Sequence, residues 1–111
     1  MGAMNQDSED DIQSVIEGTS RTICFVTSET YRLFLNYAFL VSGEFKSDLN
    51  LIKLNFTSHH VELSGINLEP LFYKLMDYGV KSIIAIDSRY NALDEKDAAI
   101  VNQISIHATD V

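Results

Sequence analysis

Residues 66–79, INLEPLFYKLMDYG, carry the one strong helical period in this chain. Leu68, Leu71, Phe72, Leu75 and Met76 recur at i, i+3, i+4, i+7 and i+8, the spacing that gathers apolar side chains on one face of a helix. Asn67 suits an N-cap, and Gly79 suits a left-handed C-terminal residue. Pro70 is tolerated in a first turn, where its missing N–H would have no intrahelical partner. The spacing predicts a helix over Leu68–Tyr78 with one buried flank. Such a flank needs a surface to cover, and most of the surrounding sequence reads as strand.

The run TICFVT, Thr22 to Thr27, is β-branched and aromatic with no breaker inside, which predicts a short strand. Between Tyr31 and Val41 two periods compete. Leu33, Phe34, Tyr37, Ala38 and Val41 could share a helical face stopped by Gly43, whereas Tyr31, Leu33, Leu35, Tyr37, Phe39 and Val41 are all apolar at period two. Aromatic content and strict alternation favour the strand, with the polar TSET as the hairpin turn before it. SGEFKSD reads as the next turn. LNLIKLNF follows as a strand in which Ile52, Leu54 and Phe56 alternate with Lys53 and Asn55, and the opposite phase of Leu49 and Leu51 hints at a bulge near Leu51 and Ile52.

In TSHHVELSG, a two-residue turn at Ser58 and His59 would set Thr57 against His60, Phe56 against Val61 and Leu54 against Leu63. VKSIIAI is apolar at most positions, as a strand in a sheet interior would be. AAIVNQISIH supplies the last strand, with Ile100, Ile104 and Ile106 on one face. Near the start, Ile12, Val15 and Ile16 fall at helical spacing until Gly18 cuts the pattern, so a short helix and a lead-in segment are both open. The sum is an α+β chain: a β-rich, mostly antiparallel bent sheet of about five or six strands packed by one main helix. Enough chain separates Val61–Gly65 from Val80–Ile86 for either parallel or antiparallel pairing.

A length of 111 residues suits a single α+β domain, expected over 12–111, that buries a core without disulfides or a structural metal. Ahead of it, MGAM reads as a remnant of expression cloning and NQDSEDD as a disordered acidic arm, together residues 1–11. Sixteen acidic against eight basic side chains give a net charge of −8, which repels phosphate backbones, and the basic residues are scattered rather than striped. Nucleic acid is therefore not expected as a partner, which also sets aside an RNA-binding Sm-like barrel. The single cysteine, Cys24, sits among apolar neighbours and reads as a packed thiol in a reducing cytoplasm. No signal sequence and no bilayer-spanning apolar run is visible, so no membrane partner is expected.

Candidate chemistry is sparse. His59 and His60 are adjacent, so on an extended segment their imidazoles point to opposite faces and cannot easily share a metal. His107 would approach one of them only if the last strand neighbours the hairpin. No Cys/His pair has zinc spacing, and no metal site is expected. Asp87, Asn91, Asp94, Glu95 and Asp97 gather oxygen ligands in one loop, but without the glycine and spacing of a calcium loop. No G-x-S-x-G and no phosphate-cradling glycine motif occurs, so no catalytic residue and no cofactor is assigned.

Tyr73 and Tyr78 lie off the main helical stripe, where exposed rings suit an interface. Open sheet edges commonly self-pair across a two-fold axis, which favours a homodimer, or else a contact with another protein. The expectation is a non-enzymatic interaction or regulatory module of the bacterial cytoplasm. The alternative is a small-molecule-binding protein or minor enzyme, with His59, His60 or His107 lining a pocket between helix and sheet.

Overall fold

In a computed structural model that describes residues 13–90 and 98–109, the chain forms eight strands and one α-helix. The strands are β1 (Val15–Glu17), β2 (Thr22–Val26), β3 (Arg32–Asn36), β4 (Leu40–Lys46), β5 (Leu51–Phe56), β6 (His59–Ile66), β7 (Val80–Ile84) and β8 (Ile100–Ala108). The helix, α1, spans Glu69–Met76. The α+β class and the dominance of antiparallel pairing are as the sequence predicts, but the strands divide into two four-stranded sheets. The order in one is β1-β7-β2-β3, with β2 and β7 parallel, and in the other β4-β5-β6-β8, antiparallel throughout. They are called here the mixed sheet and the antiparallel sheet.

The division is made at Asn36. The alternating run from Tyr31 to Val41 is a strand, as its period suggests, but a 3-10 turn at Tyr37–Phe39 breaks it and carries the chain from one sheet to the other. Asn36 stabilises the turn by accepting the Ala38 N–H on its side-chain oxygen at 2.8 Å. Tyr37 is buried, and its hydroxyl donates to the Val80 carbonyl at 2.6 Å. A side chain that alternation alone would assign to a strand face becomes a pin between the 3-10 turn and β7.

Inward residues of both sheets and of α1 form one core. Ile23, Phe25, Ile52, Leu54, Phe56, Val61, Leu63, Leu71, Leu75, Ile83 and Val101 are its buried centre, and Phe25 meets Phe56 edge-on across the two sheets. Ser14 is the one buried polar side chain among the described residues. Its Oγ donates to the Ile84 carbonyl at 2.7 Å and accepts the Val101 N–H at 2.8 Å, tying the end of β7 to β8 and so one sheet to the other.

Several local expectations shift. Ser42–Lys46 belongs to β4 and the turn falls at 47–50, so SGEFKSD is mostly strand. The irregularities lie between Ile16 and Glu17, between Leu40 and Ser42 and between Ser64 and Gly65, not at Leu51 and Ile52. Val61–Gly65 and Val80–Ile86 do not pair at all, because β6 and β7 lie in different sheets. The strand β7 does run through a sheet interior, between β1 and β2. The segment with Val15 and Ile16 is strand rather than helix, paired with β7.

The helix is shorter than predicted. Leu68 takes the N-cap position without a side-chain hydrogen bond, while Asn67 adopts a positive φ of 56° and donates from Nδ2 to the Ala98 carbonyl at 3.1 Å. Tyr78 rather than Gly79 holds the left-handed position after the helix, with φ at 58°. The Gly79 N–H closes the end on the Lys74 carbonyl at 2.8 Å. Leu68, Leu71 and Leu75 are buried as the stripe requires, but Met76 is 61% exposed. The expected acidic arm at 1–11 and the loop residues Asn91, Asp94, Glu95 and Asp97 lie outside the described residues.

Candidate functional site

Register defines what the antiparallel sheet shows to solvent. Ser42 faces Asn55, Asn55 faces His60, and His60 faces His107, a polar row across four strands. Directly opposed residues of an antiparallel pair project from the same face. A second row, Glu44, Lys53, Glu62 and Ser105, runs beside it, and a third joins Lys46, Leu51, Ser64 and Gln103. The opposite faces of β5 and β6 carry Ile52, Leu54, Phe56, Val61 and Leu63 into the core.

The histidines are not the hairpin turn. Asn55 pairs with His60 and Leu54 with Val61, so the turn residues are Thr57 and Ser58, and both histidines begin β6. The expected register is off by two residues. Apolar periodicity cannot detect such a slip, because an even shift leaves every side chain on the same face. The residues flanking β4 and β8 hold the turn instead: the Thr57 N–H donates to the Phe39 carbonyl at 2.9 Å, and the Thr109 N–H donates to the Ser58 carbonyl at 2.9 Å.

Within the polar row, Asn55 Nδ2 donates to Ser42 Oγ at 3.0 Å, which orients the amide. Its Oδ1 then accepts from His60 Nδ1 at 2.8 Å. That bond places the His60 proton on Nδ1 and leaves the Nε2 lone pair to solvent. His107 lies directly across from His60, and both are exposed. His59 points to the other side, half-buried, with Nδ1 2.7 Å from Ser58 Oγ. The topology thus brings together His60 and His107 and leaves out the sequence neighbour. Asn55 and Ser42 are the residues that sequence reading missed; their outward phase was legible, their alignment in one row was not.

A second feature lies where α1 meets β4. An open cleft enclosing about 210 Å³ is lined by Leu40, Val41, Gly43, Phe72, Met76 and Tyr78, with Leu54 and Leu75 below. Phe72 stacks on Phe45 with ring centroids 5.9 Å apart, which fixes the helix against the strand. Around the cleft, Phe39, Val41, Tyr73, Met76 and Tyr78 are large apolar residues left exposed, Val41 at 70%. Of the two tyrosines singled out from the sequence, Tyr78 lines it and stacks on Tyr37 at 4.7 Å, while Tyr73 stands edge-on to the lining residue Phe72 at 5.4 Å.

No histidine lines this cleft. Its volume is also below the roughly 300 Å³ at which pockets begin to enclose small-molecule ligands. The expected histidine-containing pocket between helix and sheet is therefore not what this junction forms: His60 and His107 lie on the outer face of the antiparallel sheet, and His59, on the other face of β6, does not reach the cleft either.

Burial pushes the Tyr37 phenol up to about 12. It stays a neutral donor to Val80 over the whole ordinary pH range. Cys24 is not in the core as its neighbours suggested: Ile23 and Phe25 take the inward phase of β2, and Cys24 faces out, half-buried, between Ser82 and Phe34. Among the described residues no helix is long and apolar enough to cross a membrane, and no three His, Cys, Asp or Glu side chains converge as a metal site. Comparison of the chain with family models, with curated proteins and with solved structures finds no match in any of the three.

Proposed function

We propose that this chain is a non-enzymatic interaction module that acts through protein contacts, with a second copy of itself as the partner. One observation supports this above the rest: exposed apolar residues surround an open cleft immediately beside β4, which among the described residues has a neighbour on one side only. An edge strand presents unpaired N–H and C=O groups, and antiparallel pairing with its own copy across a two-fold axis satisfies both sets at once. Such a pairing would bring Phe39, Val41 and Met76 of one copy toward those of the other, removing apolar surface from water at about 25 cal/mol per Å². The cleft is of a size for one or two side chains of a protein partner rather than for an enclosed metabolite.

A reducing, cytoplasmic setting fits this reading, because the one cysteine of the chain is a half-buried free thiol. Light scattering at micromolar concentration tests the proposal. The expected mass is twice the 12.5 kDa of the single chain, falling to the single mass when Val41→Lys is combined with Met76→Glu. A single-chain mass for the unaltered protein at every concentration overturns self-association, and a dimer indifferent to the double substitution overturns the assignment to this face.

A further inference from the structure

We infer that His60 and His107 form a two-imidazole site for a late first-row divalent metal ion, of the class Cu²⁺, Ni²⁺ or Zn²⁺, on the outer face of the antiparallel sheet. It does not rest on the proposed self-association: the two histidines are on β6 and β8, away from the edge strand β4. The first ground is placement. The two residues are register partners on neighbouring antiparallel strands, so their Cβ atoms stand about 4.5–5.5 Å apart on one face and two imidazoles can converge on one ion. Metal–nitrogen bonds of about 2.0–2.1 Å are within reach of such a pair by side-chain rotation alone.

The second ground is the hydrogen bonding behind His60. Metal-binding histidines nearly always give their other ring N–H to an oxygen acceptor, which fixes the tautomer and raises the basicity of the ligating nitrogen. His60 has this arrangement: Nδ1 donates to Asn55 Oδ1 at 2.8 Å, and the amide is held by its own bond to Ser42 Oγ at 3.0 Å. Nε2 of His60 is thereby offered to solvent as a lone pair, with His107 directly across from it.

No third His, Cys, Asp or Glu among the described residues joins the pair. Water or an incoming ligand would complete the coordination, as in an open rather than a closed site. Imidazole donors select for Cu²⁺, Ni²⁺ and Zn²⁺ and against the oxygen-seeking Mg²⁺ and Ca²⁺, with Cu²⁺ bound tightest. Asn55 is a positioning residue in this scheme, since it acts through His60.

The test is titration of the full chain with CuCl₂ and ZnCl₂, followed by calorimetry and by the NMR signals of the three imidazoles, with MgCl₂ as control. Saturable one-to-one binding is expected, with the His60 and His107 ring signals shifted by the diamagnetic Zn²⁺ and those of His59 unchanged. His60→Asn or His107→Asn abolishes it, and His59→Asn leaves it intact. Asn55→Ala weakens binding about tenfold or more and Asn55→Asp restores it, a rescue that loss of fold would not give. Because both histidines are solvent-facing, their variants are expected to melt within a few degrees of the unaltered chain. Absence of saturable binding below millimolar ion overturns the site, as does binding that survives loss of His107 or that requires His59.

Discussion

The two sheets have the same number of strands and share one core, yet their outer faces differ. Across the antiparallel sheet the three outward rows that span all four strands are polar except for Leu51. Across the mixed sheet the corresponding row reads Ile16, Ser82, Cys24 and Phe34, and Phe34 is 67% exposed. Inward, both sheets are alike: Val15, Ile83, Phe25 and Leu33 align in the mixed sheet much as Ile52 and Leu63 do in the other. The core therefore constrains one face of each sheet equally. What differs is assembly, since β4, β5 and β6 follow one another by short turns, whereas β7 reaches β1 and β2 only after the whole antiparallel meander and α1 have intervened.

The junction of β6 and β8 is where this contrast breaks most severely. A Cβ built at Gly65 would lie 1.9 Å from the Ile100 carbonyl oxygen, backbone that has nowhere to move without separating the strands. Gly65→Ala is expected to cost more than about 3 kcal/mol, read as a fall in the denaturant midpoint. A change under 1 kcal/mol would mean that β8 is held loosely and that the antiparallel sheet owes little to it.

The next effect concerns the pin between the 3-10 turn and the mixed sheet. The fold raises the Tyr37 pKa to about 12 from its ordinary 10, so the protonated form is the one the folded state favours. The stabilisation is complete below pH 10 and is lost as pH rises through about 12, amounting to roughly 2–3 kcal/mol at 1.36 kcal/mol per unit. Urea melts from pH 9 to 12 should show this decline. Tyr37→Phe should start lower by about 1–3 kcal/mol, since the Val80 carbonyl loses its donor, and should lack most of the alkaline decline. An identical alkaline decline in the variant would assign the effect to another group.

A smaller loss is expected at the tie between sheets. Ser14→Ala leaves the Val101 N–H without its buried acceptor and should cost about 1–3 kcal/mol. The smallest effect sharpens the comparison of outer faces: Phe34→Ser should change stability by no more than about 0.5 kcal/mol, as for an exposed site away from the core. A loss above 2 kcal/mol would show that the apolar row of the mixed sheet is covered in solution, and would direct the search for a partner there.

Much of the antiparallel sheet was legible because its information is local. The alternation of Ile52, Leu54 and Phe56 with Lys53 and Asn55 assigns both faces of β5 without knowledge of any partner. The stripe of Leu68, Leu71 and Leu75 likewise identified the buried flank of α1. The helix ends were less legible: Tyr78 takes a left-handed conformation that the adjacent glycine suggested for itself, held by its stack on Tyr37 and by the closing bond from Gly79 to Lys74. At the candidate metal site, adjacency in sequence drew attention to His59 and His60, although period two separates them. The partner that matters for His60 lies on another strand, and no local pattern names it.

By itself, then, the sequence determined most of the side chains that face inward, Cys24 and Met76 being exceptions, because burial follows a period of two in strands and 3.6 in helices, and each period is written within a few residues. Tertiary structure alone decided which strands became neighbours: β7 inserted between β1 and β2, and β8 laid along β6 so that His107 meets His60. Backbone hydrogen bonding explains the split. The N–H and C=O groups that join strands are the same at every position, so pairing over long separations is selected by the packing of the whole core rather than by any local run of residues.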